Sequence, residues 1–123
     1  MLISEINGAL LAYLGDAVIE RLVRKRLILS GGKLGELNKI ADRLVRAGYQ
    51  SGAADRILPD LTEEEANVFR RGKNIYTNSI PKSATASEYR KATGLEAVFG
   101  YLDLKGDTER IEALISKAFF NED

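Results

Sequence analysis

The 123-residue chain contains no cysteine and no histidine. The first absence removes disulfides, thiolate nucleophiles and sulfur-ligated zinc, and it fits a reducing compartment. The second removes the commonest general acid or base and the commonest transition-metal ligand, so any catalysis must rest on carboxylates, hydroxyls, lysine or arginine. Net charge is missing as well, because 18 basic residues cancel 18 acidic ones. Electrostatic binding must therefore come from local clustering rather than from the global field. No apolar run approaches the roughly 18 residues of a membrane span, and Glu5 stands where a signal peptide would carry positive charge. The expectation is a soluble, cytoplasmic protein with no membrane contact, and the length fits one domain spanning residues 1–123.

What is present reads as helices separated by short turns, with no convincing strand alternation. A first helix is expected from Ser4 as N-cap to about Ile28, before Ser30-Gly31-Gly32. Residues 33 to about 47 form a second amphipathic segment. After Gly48 and Gly52 only a turn or two is expected over Ala53–Leu58, closed by Pro59. Thr62-Glu63-Glu64-Glu65 is a capping box that opens a helix running to about Arg71, and Thr85-Ala86-Ser87-Glu88 is a second one. Between them Gly72 to Ser83, with Asn74, Asn78 and Pro81, reads as a loop of about a dozen residues, a length often tied to function. Lys105-Gly106-Asp107 turns the chain into a last helix striped with Ile111, Leu114, Ile115, Ala118 and Phe119.

Two acids stand out because each interrupts an apolar run. In the first helix Ile6, Leu10, Tyr13, Leu14, Ala17, Val18 and Leu22 recur at the spacing of a buried face, and Asp16 lies among them. A carboxylate near apolar packing loses hydration and stays ionised only if a cation or hydrogen-bond donors compensate it. Gly15 beside it costs a helix interior roughly 1 kcal/mol relative to alanine, which points to something approaching the backbone there. Glu96 sits in Gly94-Leu95-Glu96-Ala97-Val98-Phe99-Gly100 in the same way, and Glu20 lies one turn after Asp16. Oxygen ligands from separate helices are how a hard cation such as Mg²⁺ is held in a helical fold. The plainer alternative makes each acid a salt-bridge partner or a partly exposed flank.

Basic residues cluster elsewhere. From Val68 to Leu95 there are six, Arg70, Arg71, Lys73, Lys82, Arg90 and Lys91, against the single acid Glu88. Such a segment suits phosphate binding, with Gly72, Asn74 and Ser79 allowing close approach. A solvated charged loop is the alternative. The second helix alternates Lys33, Lys39, Arg43 and Arg46 with Glu36 and Asp42, the pattern of an exposed face, and Tyr13, Tyr49, Tyr76, Tyr89 and Tyr101 are too scattered for a base-stacking platform.

Leu11-Ala12-Tyr13-Leu14-Gly15-Asp16-Ala17-Val18 resembles the signature helix of the ribonuclease III family, whose pattern ends in Phe-Leu-Gly-Asp-Ala-Val. Residues 92–100 resemble that family's second catalytic segment, and Gly35 to Arg46 follows its middle helices in order. Arg70-Arg71-Gly72-Lys73-Asn74, Pro81-Lys82 and Tyr89-Arg90 resemble its short bacterial form, which consists of the nuclease domain alone. Two family acids are replaced: Ala9 stands seven residues before Asp16, and Thr93 three before Glu96. No separate double-stranded-RNA-binding domain is expected.

The resemblance implies an all-α ribonuclease III-like endonuclease domain, a helical bundle that cleaves double-stranded RNA with Mg²⁺ and leaves 5′-phosphate and 3′-hydroxyl ends. Asp16 and Glu96 would be the catalytic and metal-holding pair; the waters that Mg²⁺ keeps can hydrogen-bond to Thr93 or Asn7 in place of a third carboxylate, and Glu20, which the resemblance does not assign, is a further outer-sphere candidate. Arg70, Arg71, Lys73, Asn74, Lys82 and Arg90 would bind RNA. The implied substrate is the paired end region of precursor 23S ribosomal RNA, with a large-subunit ribosomal protein as an accessory partner. A homodimer built around Leu10, Tyr13 and Leu14 is expected, since family members pair through the signature helix. Two rivals stay open: a catalytically inactive module that holds structured RNA on a nuclease-like fold, and a helical protein-interaction domain using the basic segment.

Overall fold

The computed structural model describes residues 2–75, 80, 82 and 84–122. Among them every regular element is helical, and six α-helices follow a short 3₁₀ turn at Ile3–Glu5: α1 (Gly8–Leu29), α2 (Leu34–Leu44), α3 (Ala47–Ile57), α4 (Glu63–Lys73), α5 (Ala86–Lys105) and α6 (Thr108–Phe120). The all-α bundle expected from the sequence is what forms.

Helix α5 is the axis. Its residues from Ala97 to Leu102 are all buried, so it is apolar nearly all round and is enclosed by α1, α3 and α4. Leu95, Val98 and Phe99 are fully shielded and meet Leu11, Ile19 and Val23 of α1 in one continuous core with Ile57, Leu114 and Ile115. The capping boxes read from the sequence form: Thr62 accepts from Glu65 N–H and Thr85 from Glu88 N–H, both at 3.1 Å, and each glutamate accepts from the cap's own N–H at 2.9 Å. Gly106 ends α5 in the left-handed conformation, and Asp107 caps α6.

Four local expectations are corrected. The N-cap of α1 is Asn7 rather than Ser4, its side chain accepting from Leu10 N–H at 2.9 Å. Gly8 can then lie against the backbone of α4, where a Cβ would stand 2.8 Å from the Arg71 carbonyl oxygen. The buried face of α1 is also rotated from the expected one. Leu11, Ala12, Gly15, Val18, Ile19 and Leu22 face the core, whereas Leu10 and Tyr13 are 57% and 82% exposed. The third correction is α3, a full helix despite its two glycines. Ala53 and Ala54 are completely buried and the helix is tied to α6, where Arg56 Nε donates to the Ala118 carbonyl at 2.8 Å and Tyr49 to that of Phe119 at 3.1 Å. Tertiary packing outweighs weak local propensity there. Finally, α4 runs two residues beyond the expected Arg71, through Gly72 to Lys73, so Lys73 belongs to the helix end rather than to the loop. Of the expected loop, Tyr76, Asn78, Ser79, Pro81 and Ser83 lie outside the described residues.

Candidate active site

Glycine sets how closely the acid-bearing helices cross. A Cβ on Gly100 would lie 2.0 Å from the Leu11 carbonyl oxygen and 3.0 Å from Gly15 N, and Gly15 itself rests on the backbone of Glu96. Helices α1 and α5 therefore touch backbone to backbone, closer than any side chain permits. A second seam joins α4 to α5, where a Cβ on Gly72 would lie 2.7 Å from Ala97 Cβ and one on Gly94 2.8 Å from the Phe69 carbonyl. Both seams converge on one cavity of about 300 Å³.

Asp16 and Glu96 line that cavity from α1 and α5. The positions of the two replaced family acids, Ala9 and Thr93, line it as well, so all four family positions open onto one space. Thr93 donates its hydroxyl to the Tyr89 carbonyl at 2.9 Å, one turn back along α5. Burial, then the negative charge of Asp16 and a hydrogen bond with it, then the charge of Glu20, push the Glu96 carboxyl up to about 8. A carboxyl so disfavoured as an anion is one whose charge a bound cation would relieve. The two carboxylates offer oxygen ligands, the chemistry of a hard divalent ion, and among the described residues no group of three or more acids forms a closed cage. The pair therefore fits an ion that keeps most of its waters, as Mg²⁺ does.

The basic residues divide. Lys73, at the end of α4, and Arg90, in the first turns of α5, line the cavity with the acids. Arg71 instead donates to the Ile6 carbonyl, fastening α4 to the segment before α1, and Arg70 is exposed and bonded to Asn67. Asn74 is the C-cap of α4 and Lys82 is exposed. Asn7 does not line the cavity, since its side chain caps α1. Glu20 is half-buried and reaches Arg24 at 4.0 Å. Two further lining residues, Tyr13 and Tyr89, were not among the candidates from the sequence. Spacing alone points to them: Tyr13 is three residues before Asp16, and Tyr89 is four before Thr93 and seven before Glu96, the steps that share a helix face.

The chain is similar to known proteins over most of its length. Residues 9–107 match the model of the ribonuclease III domain. A Mini-ribonuclease 3 of Symbiobacterium thermophilum is 43% identical over 109 residues, covering 88% of this chain and 84% of that protein. One of Desulfitobacterium hafniense is 46% identical over 108 residues, covering 87% and 68%. An X-ray structure of a Fusobacterium nucleatum protein superposes with a TM-score of 0.83 at 39% identity, over 91% of this chain and 90% of that one. The chain belongs to the ribonuclease III family and is an endoribonuclease. Within the family its likeness is to the mini-ribonucleases 3.

Proposed function

We propose that the chain is an Mg²⁺-dependent endoribonuclease acting on double-stranded RNA. The observation that carries this reading is the meeting of Asp16 and Glu96, from two helices, in a cavity that Lys73 and Arg90 also line. Asp16 and Glu96 would hold the cation, with Thr93 on the cavity lining as an outer-sphere group and Glu20, outside the lining but close enough for its charge to act on Glu96, as a further one. A divalent ion held there supplies an acidified water and stabilises charge on the scissile phosphate. Lys73 and Arg90 bind phosphates beside the acids and set the strand's position, a task suited to A-form RNA, whose major groove is too deep and narrow for side chains to read. Histidine has no necessary part in this chemistry, in keeping with its absence. The products carry 5′-phosphate and 3′-hydroxyl ends.

The enzyme acts as a homodimer in the cytoplasm, each protomer cutting one strand. Exposed Leu10 and Tyr13, on the same helix as Asp16, support this pairing. Its substrate is the paired end region of precursor 23S ribosomal RNA, with a large-subunit ribosomal protein assisting, a reading that rests on the resemblance of residues 70–74, 81–82 and 89–90 to the short bacterial form of the family. One observation favours an inactive RNA-binding module instead, namely that alanine and threonine occupy two of the four family acid positions in the cavity. Incubating the protein with an end-labelled RNA duplex in Mg²⁺ and then in EDTA separates the readings. Cleavage in Mg²⁺ alone supports the enzyme, whereas binding without cleavage in both supports the module.

A further inference from the structure

The α1–α2 corner carries a second surface, away from the acids. Residues 21–46 hold eight basic residues and two acidic ones, Glu36 and Asp42, in a chain whose overall charge is zero. Ile28 lies twelve residues beyond Asp16 along α1, roughly 18 Å at the rise of a helix. There the chain turns through Gly31 and Gly32, both at positive φ, and α2 folds back beside the end of α1. Between the two helices lies a groove of about 190 Å³, floored by Leu27, Leu37 and Ala41 and flanked by Ile28 and Leu34. Those flanks face solvent: Ile28 is 67% exposed and Leu34 84%. Two large aliphatic side chains are thus held in water beside an apolar furrow, a costly arrangement that marks an interaction site.

The surrounding charge selects the occupant. Arg24, 4.0 Å from Glu20, lines the groove and shares a helix face with Ile28, Arg21 stands one turn before Arg24 along α1, and Lys33 is the N-cap residue of α2 beside Leu34. A second copy of this face would bring like charge against like charge. Nucleic acid would gain from the basic residues and find nothing for the aliphatic ones, while a flat bilayer would not fill a furrow between helices. We propose that this groove docks an acidic amphipathic segment of a partner protein, its apolar side chains filling the furrow and its carboxylates meeting the basic rim, as helix-in-groove recognition does. The surface is separate from the nuclease cavity, so docking and cleavage are independent.

The test is an NMR titration of the ¹⁵N-labelled full chain with a synthetic sixteen-residue helical peptide carrying leucine at the i, i+3, i+4, i+7 positions and glutamate elsewhere. The expected result is saturable shifts at the amides of Arg24, Ile28, Leu34 and Asn38, weakened at least tenfold by Leu34→Glu or Ile28→Asp. Both positions are exposed, so the variants fold, and unchanged spectra away from the groove verify it. A peptide with lysine for glutamate should not bind, Glu96→Gln should leave binding unchanged, and raising salt from 50 to 500 mM should weaken it severalfold. The proposal is overturned if the groove amides do not shift, or if the lysine peptide binds equally. It is also overturned if phosphatidylglycerol vesicles or an RNA duplex engage the groove amides and the glutamate peptide does not.

Discussion

A Cβ placed on Gly15 would stand 1.6 Å from the carbonyl oxygen of Glu96. No side chain fits there, so the crossing that brings Asp16 beside Glu96 exists only with glycine at position 15. Substituting Gly15→Ala therefore sets a helix-propensity gain of about 1 kcal/mol against forced separation of α1 and α5. Overpacking of this kind costs about 3 kcal/mol and dominates. The expected outcome is a Tm lowered by about 10 °C and loss of cleavage beyond what instability explains, since the carboxylates no longer converge. Gly35→Ala is the control, because nothing lies within 4 Å of its Cβ position. It should leave activity unchanged and raise Tm slightly. Equal effects of the two substitutions in calorimetry would contradict the crossing.

The acids themselves are tested by near-isosteric amides. Asp16→Asn and Glu96→Gln remove the charge that holds a cation while preserving shape, so each should abolish cleavage with fold and duplex binding retained. Activity of either variant within about tenfold of the parent, measured on a labelled duplex, would reject their assignment.

Protonation of Glu96 links the site to stability. Its carboxyl sits near 8 in the folded chain against an ordinary 4.5, so between those values the metal-free folded state keeps a proton that the unfolded chain has released. Stability is then lost as pH rises from about 4.5 to about 8 and levels off above. Glu96→Gln has no such titration. In EDTA the variant should match the parent near pH 4, and its Tm advantage should widen to a plateau beyond pH 8. Adding Mg²⁺ at pH 8 should stabilise the parent and not the variant. Parallel pH profiles for the two proteins would show that Glu96 is not held as described.

Features written in a few adjacent residues were legible before the structure. The boxes at Thr62 and Thr85 and the turn at Gly106 satisfy helix ends locally, so four-residue patterns revealed them. Helix α3 was not legible, because Gly48 and Gly52 argue against it locally, and what holds it is the burial of Ala53 and Ala54 and the bonds of Arg56 and Tyr49 to α6. The start of α1 was misread for a different reason: the serine at position 4 is a good cap residue, but the cap is Asn7, where Gly8 approaches the backbone of α4. Asp16 and Glu96 stood out as acids in apolar runs and open onto one cavity. The division among the basic residues was hidden, since side-chain direction at the end of α4 depends on where Ile6 lies.

That division gives the last prediction. A cation that contacts RNA phosphate releases a counterion and contributes roughly 0.7 to 0.9 to the slope of log affinity against log salt. Lys73 and Arg90 share the cavity with the acids and Lys82 is exposed, so Lys73→Ala, Arg90→Ala and Lys82→Ala should each weaken binding similarly on unrelated duplexes and flatten that slope by nearly one unit. Arg71 is half-buried and bonded to the Ile6 carbonyl, so its loss frees the segment before α1 and leaves a carbonyl without its donor. Arg71→Ala should lower stability by about 1 to 2 kcal/mol in urea unfolding while leaving the salt slope unchanged. The opposite pattern, a flattened slope for Arg71→Ala and none for Lys73→Ala and Arg90→Ala, would move the RNA from the cavity wall to the outer side of α4.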